Sequence, residues 1–169
     1  MAFKKVIIVF ILLITFYSSM SKAEGLGFSL GVGYSYLLVP EVSFNPENSD
    51  VRWFANYRIG LGGPAIALGI ERPFSEDKRH SVGFLIGGIG QSEDETPCEQ
   101  IYEGQCLEVG GFSFDFDLEN TNGVAAMYSY NSEGLNNSGW RYSIMFGYGQ
   151  GEDSGESKVD GSVSISYQF

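Results

Sequence analysis

Beyond residue 23 the chain alternates apolar and polar positions with a period of two, in segments of about ten residues separated by polar or Gly-rich stretches. Such a period predicts strands with two unlike faces. The last segment is the clearest. Val159, Gly161, Val163, Ile165, Tyr167 and Phe169 share one face, and Asp160, Ser162, Ser164, Ser166 and Gln168 share the other. Before it, Trp140, Tyr142, Ile144, Phe146 and Tyr148 oppose Arg141, Ser143, Met145, Gly147 and Gly149. The first segment sets Leu26, Phe28, Leu30, Val32, Tyr34 and Tyr36 against Gly27, Ser29, Gly31, Gly33 and Ser35. Five further strands are predicted at residues 51–61, 65–72, 80–90, 108–118 and 123–130, which makes about eight. No convincing amphipathic helix pattern occurs.

One face of these strands is aromatic and aliphatic, and the other is Gly, Ser and a few charges. A soluble sandwich or ligand-binding barrel would turn the apolar face inward. A transmembrane barrel would turn it toward lipid and fill a narrow lumen with the small polar face. The polar faces carry Gly and Ser rather than the Lys, Glu and Thr of a water-facing sheet, which suits the crowded interior of an eight-stranded barrel. Tyr and Trp near the strand ends suit interface girdles. The expected fold is therefore all-β, an antiparallel up-and-down transmembrane β-barrel, with a soluble periplasmic lipid-binding β-barrel as the competing arrangement.

The first 23 residues follow another rule. Lys4 and Lys5 precede an apolar run over residues 6–16, and Ser21 and Ala23 form a small-x-small ending. These are the parts of a secretory signal peptide cleaved after Ala23. As a helix the run would cover about 16 Å, too short for the roughly 30 Å hydrocarbon core. Residues 24–169 are then the barrel domain.

Composition narrows the functions. The 169-residue chain has a formal charge of −11, and loss of Lys4, Lys5 and Lys22 leaves 7 basic against 21 acidic residues. That balance excludes a basic nucleic-acid-binding surface. One histidine and two cysteines leave no His/Cys zinc site with three or four protein ligands. No metal, cofactor or catalytic residue is expected.

The ending Val163-Ser-Ile-Ser-Tyr-Gln-Phe169, with the strand pattern of the whole mature chain, resembles the small eight-stranded outer-membrane barrels of the OmpA/OmpX type. The alternating Val163, Ile165, Tyr167 and terminal Phe169 resemble the signal read by the outer-membrane assembly machinery of Gram-negative bacteria. The resemblance implies location in the outer membrane, contact with its lipid and lipopolysaccharide, and both termini in the periplasm. With that orientation the predicted connections outside are 37–50, 73–79, 119–122 and 151–158, and those inside are 62–64, 91–107 and 131–139. The longest, which carries both cysteines, falls on the periplasmic side. Such barrels keep their periplasmic turns short, so either a strand boundary is misplaced, as within 37–50, or this barrel has an unusual long periplasmic loop.

Several residues invite chemical readings. Cys98 and Cys106 lie in one connection of an exported chain, where a disulfide is the expected state. Inward positions carry Arg52, Arg58, Glu71, Asp115, Asp117, Arg141 and Asp160. These are expected to pair inside the lumen, as a structural plug or as the gate of a narrow channel or small-ligand conduit. Acidic loop residues (Glu93, Asp94, Glu95, Glu99 and Glu103; then Glu152, Asp153 and Glu156) could collect divalent cations and bridge them to lipopolysaccharide phosphates, or simply keep the loops solvated. His80 next to Ser81 invites comparison with barrel lipid A deacylases. Adjacent strand residues point to opposite faces, which makes a catalytic pair there geometrically poor. The expected role is a non-enzymatic structural or surface-interaction one.

Overall fold

Alternation along the chain becomes alternation across a wall. The computed structural model describes residues 25–47, 49–93, 106–109, 112–115 and 118–169, with backbone alone for 93, 106–109 and 112–115. The predicted signal peptide, Cys98 and Asp117 lie outside the described residues. Ten strands form: β1 (Leu26–Tyr34), β2 (Val39–Phe44), β3 (Arg52–Gly60), β4 (Gly63–Pro73), β5 (His80–Glu93), β6 (Cys106–Val109), β7 (Phe112–Asp115), β8 (Leu118–Asn131), β9 (Gly139–Gly151) and β10 (Ser157–Gln168). Eight of them close into an antiparallel up-and-down barrel in the order β1-β10-β9-β8-β5-β4-β3-β2, and β6 and β7 pair with each other outside it. The described residues include no helix. Closure is made by β1 against β10, from Ser29↔Gln168 to Tyr34↔Val163, which leaves the barrel itself without an unpaired edge.

The staves depart from the sequence expectation at four places. First, β2 lies within 37–50, which reads as a loop because Pro40 and Glu41 interrupt a short apolar run. The barrel accommodates both: Glu41 faces inward and is buried, while Val42 and Phe44 face out. Second, 108–118 is not a stave. It divides between the β6–β7 hairpin, where Val109 pairs with Phe112 across the Gly110-Gly111 dipeptide, and the start of β8. Gly-Gly between alternating runs is a hairpin signal. Third, β5 and β8 run on past their predicted ends, pairing as far as Glu93↔Leu118, so 119–122 is strand rather than connection. Fourth, β1 ends at Tyr34. Ser35 takes a left-handed φ of 73°, and the chain turns so that Tyr36, expected on the outer row, is buried in the lumen.

Adding β2 changes every later direction. The connections at 35–38, 61–62, 94–117 and 152–156 now lie at the end opposite the termini, and those at 45–51, 74–79 and 132–138 lie at the terminal end. The long cysteine-bearing connection therefore falls opposite the termini, and the terminal end keeps only short turns.

The wall is apolar outside and polar inside. Outward rows such as Ile66, Leu68 and Ile70 on β4, and Trp140, Tyr142, Ile144, Phe146 and Tyr148 on β9, are exposed. Aromatic residues ring the terminal end of the outer wall: Phe28, Phe44, Trp53, His80, Tyr128, Tyr130, Trp140, Tyr142, Tyr167 and Phe169. Between Trp140 and Tyr148 the strand climbs about 20 Å along the axis, taking roughly 3.3 Å per residue and a tilt of about 40°.

Inside, Phe54, Ala67, Leu85, Ile89, Ala125, Met127 and Met145 form the apolar cluster. Ile89 enters it through a bulge, the register of β5 against β8 shifting between Gly88 and Gly90. Phe54 has room because Gly69, its cross-strand partner, has no side chain; a Cβ there would collide with the Phe54 ring.

Candidate functional site

The lumen holds the densest polar chemistry among the described residues. Glu41 on β2, Arg52 on β3, Glu71 on β4 and Arg141 on β9 all take inward positions and are buried. Their side chains close a ring of four ion pairs. Arg52 Nη2 reaches Glu41 Oε1 at 2.7 Å and Arg52 Nη1 reaches Glu71 Oε2 at 3.1 Å. Arg141 Nη1 reaches Glu41 Oε1 at 2.9 Å and Arg141 Nη2 reaches Glu71 Oε2 at 2.7 Å. Neutral donors complete the carboxylates: Ser29 and Asn56 donate to Glu41, and Ser81 donates to Glu71. Two cations and two anions thus satisfy one another where bulk water does not reach, the condition under which buried charges persist.

Arg58 is a third buried guanidinium, and its partners are neutral. Its Nε donates to Asn56 Oδ1 at 2.8 Å, and its Nη1 donates to the Gly88 carbonyl at 2.7 Å and contacts Met145 Sδ at 3.1 Å. The Tyr36 ring lies 5.3 Å from its Cζ, and the Tyr36 hydroxyl donates to the Gly90 carbonyl. Beside Arg58 is a cavity of about 30 Å³, with Asn56, Glu41, Arg141 and a row of β10 serines in its wall.

Both ends of the lumen are capped. At the terminal end the 132–138 turn buries Leu135, whose N–H donates to the Lys78 carbonyl and whose carbonyl accepts from Gln168 Nε2. At the opposite end Thr121 donates to Asp160, and Gln91 and Asn120 bond each other and the 62–64 turn. Glu119 accepts from Lys158 and from the backbone N–H groups of Asp153 and Ser154. In the terminal-end turns, the Lys78 ammonium holds the Asp50 carboxyl below the usual carboxylate range, and the Ser75 hydroxyl does the same for Asp77.

Of the residues expected to carry lumen charge, Arg52, Arg58, Glu71 and Arg141 meet inside the barrel, and Asp160 lies toward its rim. Asp115 belongs to the β6–β7 hairpin instead of a stave, which removes it from the lumen. Glu41, the ring's fourth member, lies on β2, whose short pattern interrupted by Pro40 reads as a loop in the sequence. An isolated Glu flanked by Val and Ser at i±2 was the available signal. Leu135 carried no periodic signal at all.

His80 and Ser81 do point apart. His80 Nδ1 lies 2.7 Å from the Tyr128 hydroxyl on the outer wall, while Ser81 is fully buried and bonded to Glu71. Val163, Ile165 and Phe169 are exposed on the outer face. The Tyr167 ring packs edge-on against Trp140 and Phe169, and the Phe169 N–H donates to the Phe28 carbonyl. Among the described residues no group of three or more His, Cys, Asp or Glu side chains is placed to hold a metal ion. The expected Cys98–Cys106 bridge involves side chains outside the described ones.

No family model, no curated protein and no solved structure matches the chain.

Proposed function

We propose that the chain is a small outer-membrane β-barrel protein of the kind the OmpA/OmpX-type barrels exemplify, exported by its N-terminal signal, with a non-enzymatic structural or surface-interaction role. The inverted polarity of the wall carries this reading. Large apolar side chains on the staves face outward, whereas a water-exposed wall of that composition would be an aggregation liability. In lipid the same wall is the favourable surface, and the closed ladder satisfies every stave's backbone. The aromatic ring at the terminal end supports an interface there, with the termini on the periplasmic side and the 94–117 connection reaching the cell exterior. Outer-membrane lipid and lipopolysaccharide are the surroundings this implies, and Val163, Ile165, Tyr167 and Phe169 form the signal for the assembly machinery.

The filled lumen favours an anchor over a conduit. Its cavity of about 30 Å³ has space for only a few waters, and the Arg–Glu ring lies across it. The decisive experiment compares boiled and unboiled samples of purified outer membranes by gel mobility. A folded barrel in that fraction should change mobility on heating. Recovery as a soluble periplasmic protein, with no shift, would overturn the proposal. Planar-bilayer recordings should show no steady conductance, and a conductance altered by Arg141→Ala would establish the conduit instead.

A further inference from the structure

We propose that the lumen cavity beside Arg58 is a binding site for one monovalent anion of halide size. The first observation is charge. Three buried guanidiniums, Arg52, Arg58 and Arg141, share the middle of the lumen with two carboxylates, Glu41 and Glu71. Those two carboxylates are spent on Arg52 and Arg141. Arg58 is only 2% exposed and has no carboxylate in ion-pair range. The remaining lumen carboxylate, Asp160, accepts from the Thr121 hydroxyl and the Gly161 N–H and pairs with no guanidinium, so it balances the charge of Arg58 only from a distance. A buried cation whose contacts are an amide, a carbonyl, a thioether and a phenol ring has no counter-charge in contact with it, which leaves room for an anion to stabilise it.

The second observation is the cavity wall. Ser162, Ser164 and Ser166 occupy alternate positions of β10 and therefore one face, and all three line the cavity that Arg58 lines. Ser162 is 7% and Ser166 9% exposed. The three hydroxyls make no hydrogen bond to any described residue, so three donors are free to turn toward a guest. The Glu41 carboxylate also borders the cavity, but its charge is taken by the two arginines of the ring.

Size selects the guest. About 30 Å³ of open space corresponds to two or so water positions at roughly 10–15 Å³ each. A single halide matches that space. The proposal is independent of what surrounds the barrel, since it concerns the interior alone.

The test uses the folded full-length mature protein, with bromide as probe and gluconate, too large for the cavity, as the balancing anion at constant ionic strength. Reversible urea unfolding is followed by tryptophan fluorescence. Ligand linkage requires the unfolding equilibrium constant to fall tenfold per tenfold rise in bromide once the site saturates. Arg58→Gln should flatten that dependence. Ser162→Ala should keep it while shifting it to severalfold higher bromide. Crystals grown in bromide should show one anomalous peak against the Arg58 guanidinium. An equal bromide dependence in the wild type and Arg58→Gln, or a cavity without that peak, would overturn the assignment and leave the space to water. If Arg58→Gln does not fold, the Ser162→Ala titration and the bromide crystals decide.

Discussion

At the scale of single residues, the barrel is a set of compensations. Glu71 accepts from Arg52, Arg141 and Ser81 at once. Glu71→Ala leaves two guanidiniums with one carboxylate between them, and stability should fall by about 3–5 kcal/mol, the usual cost of breaking a buried pair. Urea midpoints of the folded barrel measure this; a loss under about 1 kcal/mol would show that water relaxes the ring. Phe54 and Gly69 compensate in volume. Gly69→Ala should cost about 1–3 kcal/mol through overpacking, and Phe54→Leu in the same chain should recover part of it. Equal penalties in both backgrounds would mean that the two positions do not share the space. Arg52, Arg58 and Arg141 were legible as inward charges because strand parity assigns a face to every residue of a known strand. Their partners were not. Which carboxylate meets which guanidinium depends on strands brought together by closure, and Glu41 and Arg141 lie 100 positions apart.

Among the elements, the strands that sequence rendered well are those whose alternation is long and unbroken, such as β9 and β10. Where the pattern is short, tertiary pairing decides. Val39–Phe44 becomes a stave because β1 and β3 lie on either side to pair with it, despite Pro40 and an inward Glu41. Phe112–Asp115 alternates as well as many staves but pairs with β6 instead of joining the barrel. The two segments exchange the roles their patterns suggest. Within the β5–β8 connection that contains Cys98 and Cys106, the described segments β6 and β7 pair with each other and not with a stave. Replacing both cysteines by serine should therefore leave the unfolding midpoint of the barrel unchanged and speed proteolysis within 94–117. A lowered midpoint would show that the connection braces the barrel. At the other end of the chain, deleting Phe169 removes the ring that stacks on Phe28 at 5.9 Å. Heat-modifiable protein in outer membranes should drop severalfold if the final strand is read during assembly. An unchanged level would remove that role.

For the whole molecule, the question is what solvent the wall faces, and one substitution asks it directly. Ile144 lies midway along β9 and is exposed. Ile144→Arg should cost about 2–4 kcal/mol in a bilayer, the penalty for a charge near its midplane. The same change should be close to neutral on a wall bathed in water. Folding titrations into lipid vesicles measure the difference. The sequence by itself determined the all-β class, the strand period, the identity of the two faces and most lumen charges. All of these follow from local parity, because side chains on a strand alternate whatever the strand is paired with. Only the tertiary structure decided the eighth stave, the exclusion of the β6–β7 hairpin, the end at which the cysteine connection lies, the pairing of the Arg–Glu ring and the isolation of Arg58. These depend on closure. One added strand reverses the direction of all that follow, and the register around the barrel selects which distant charges share the dry interior.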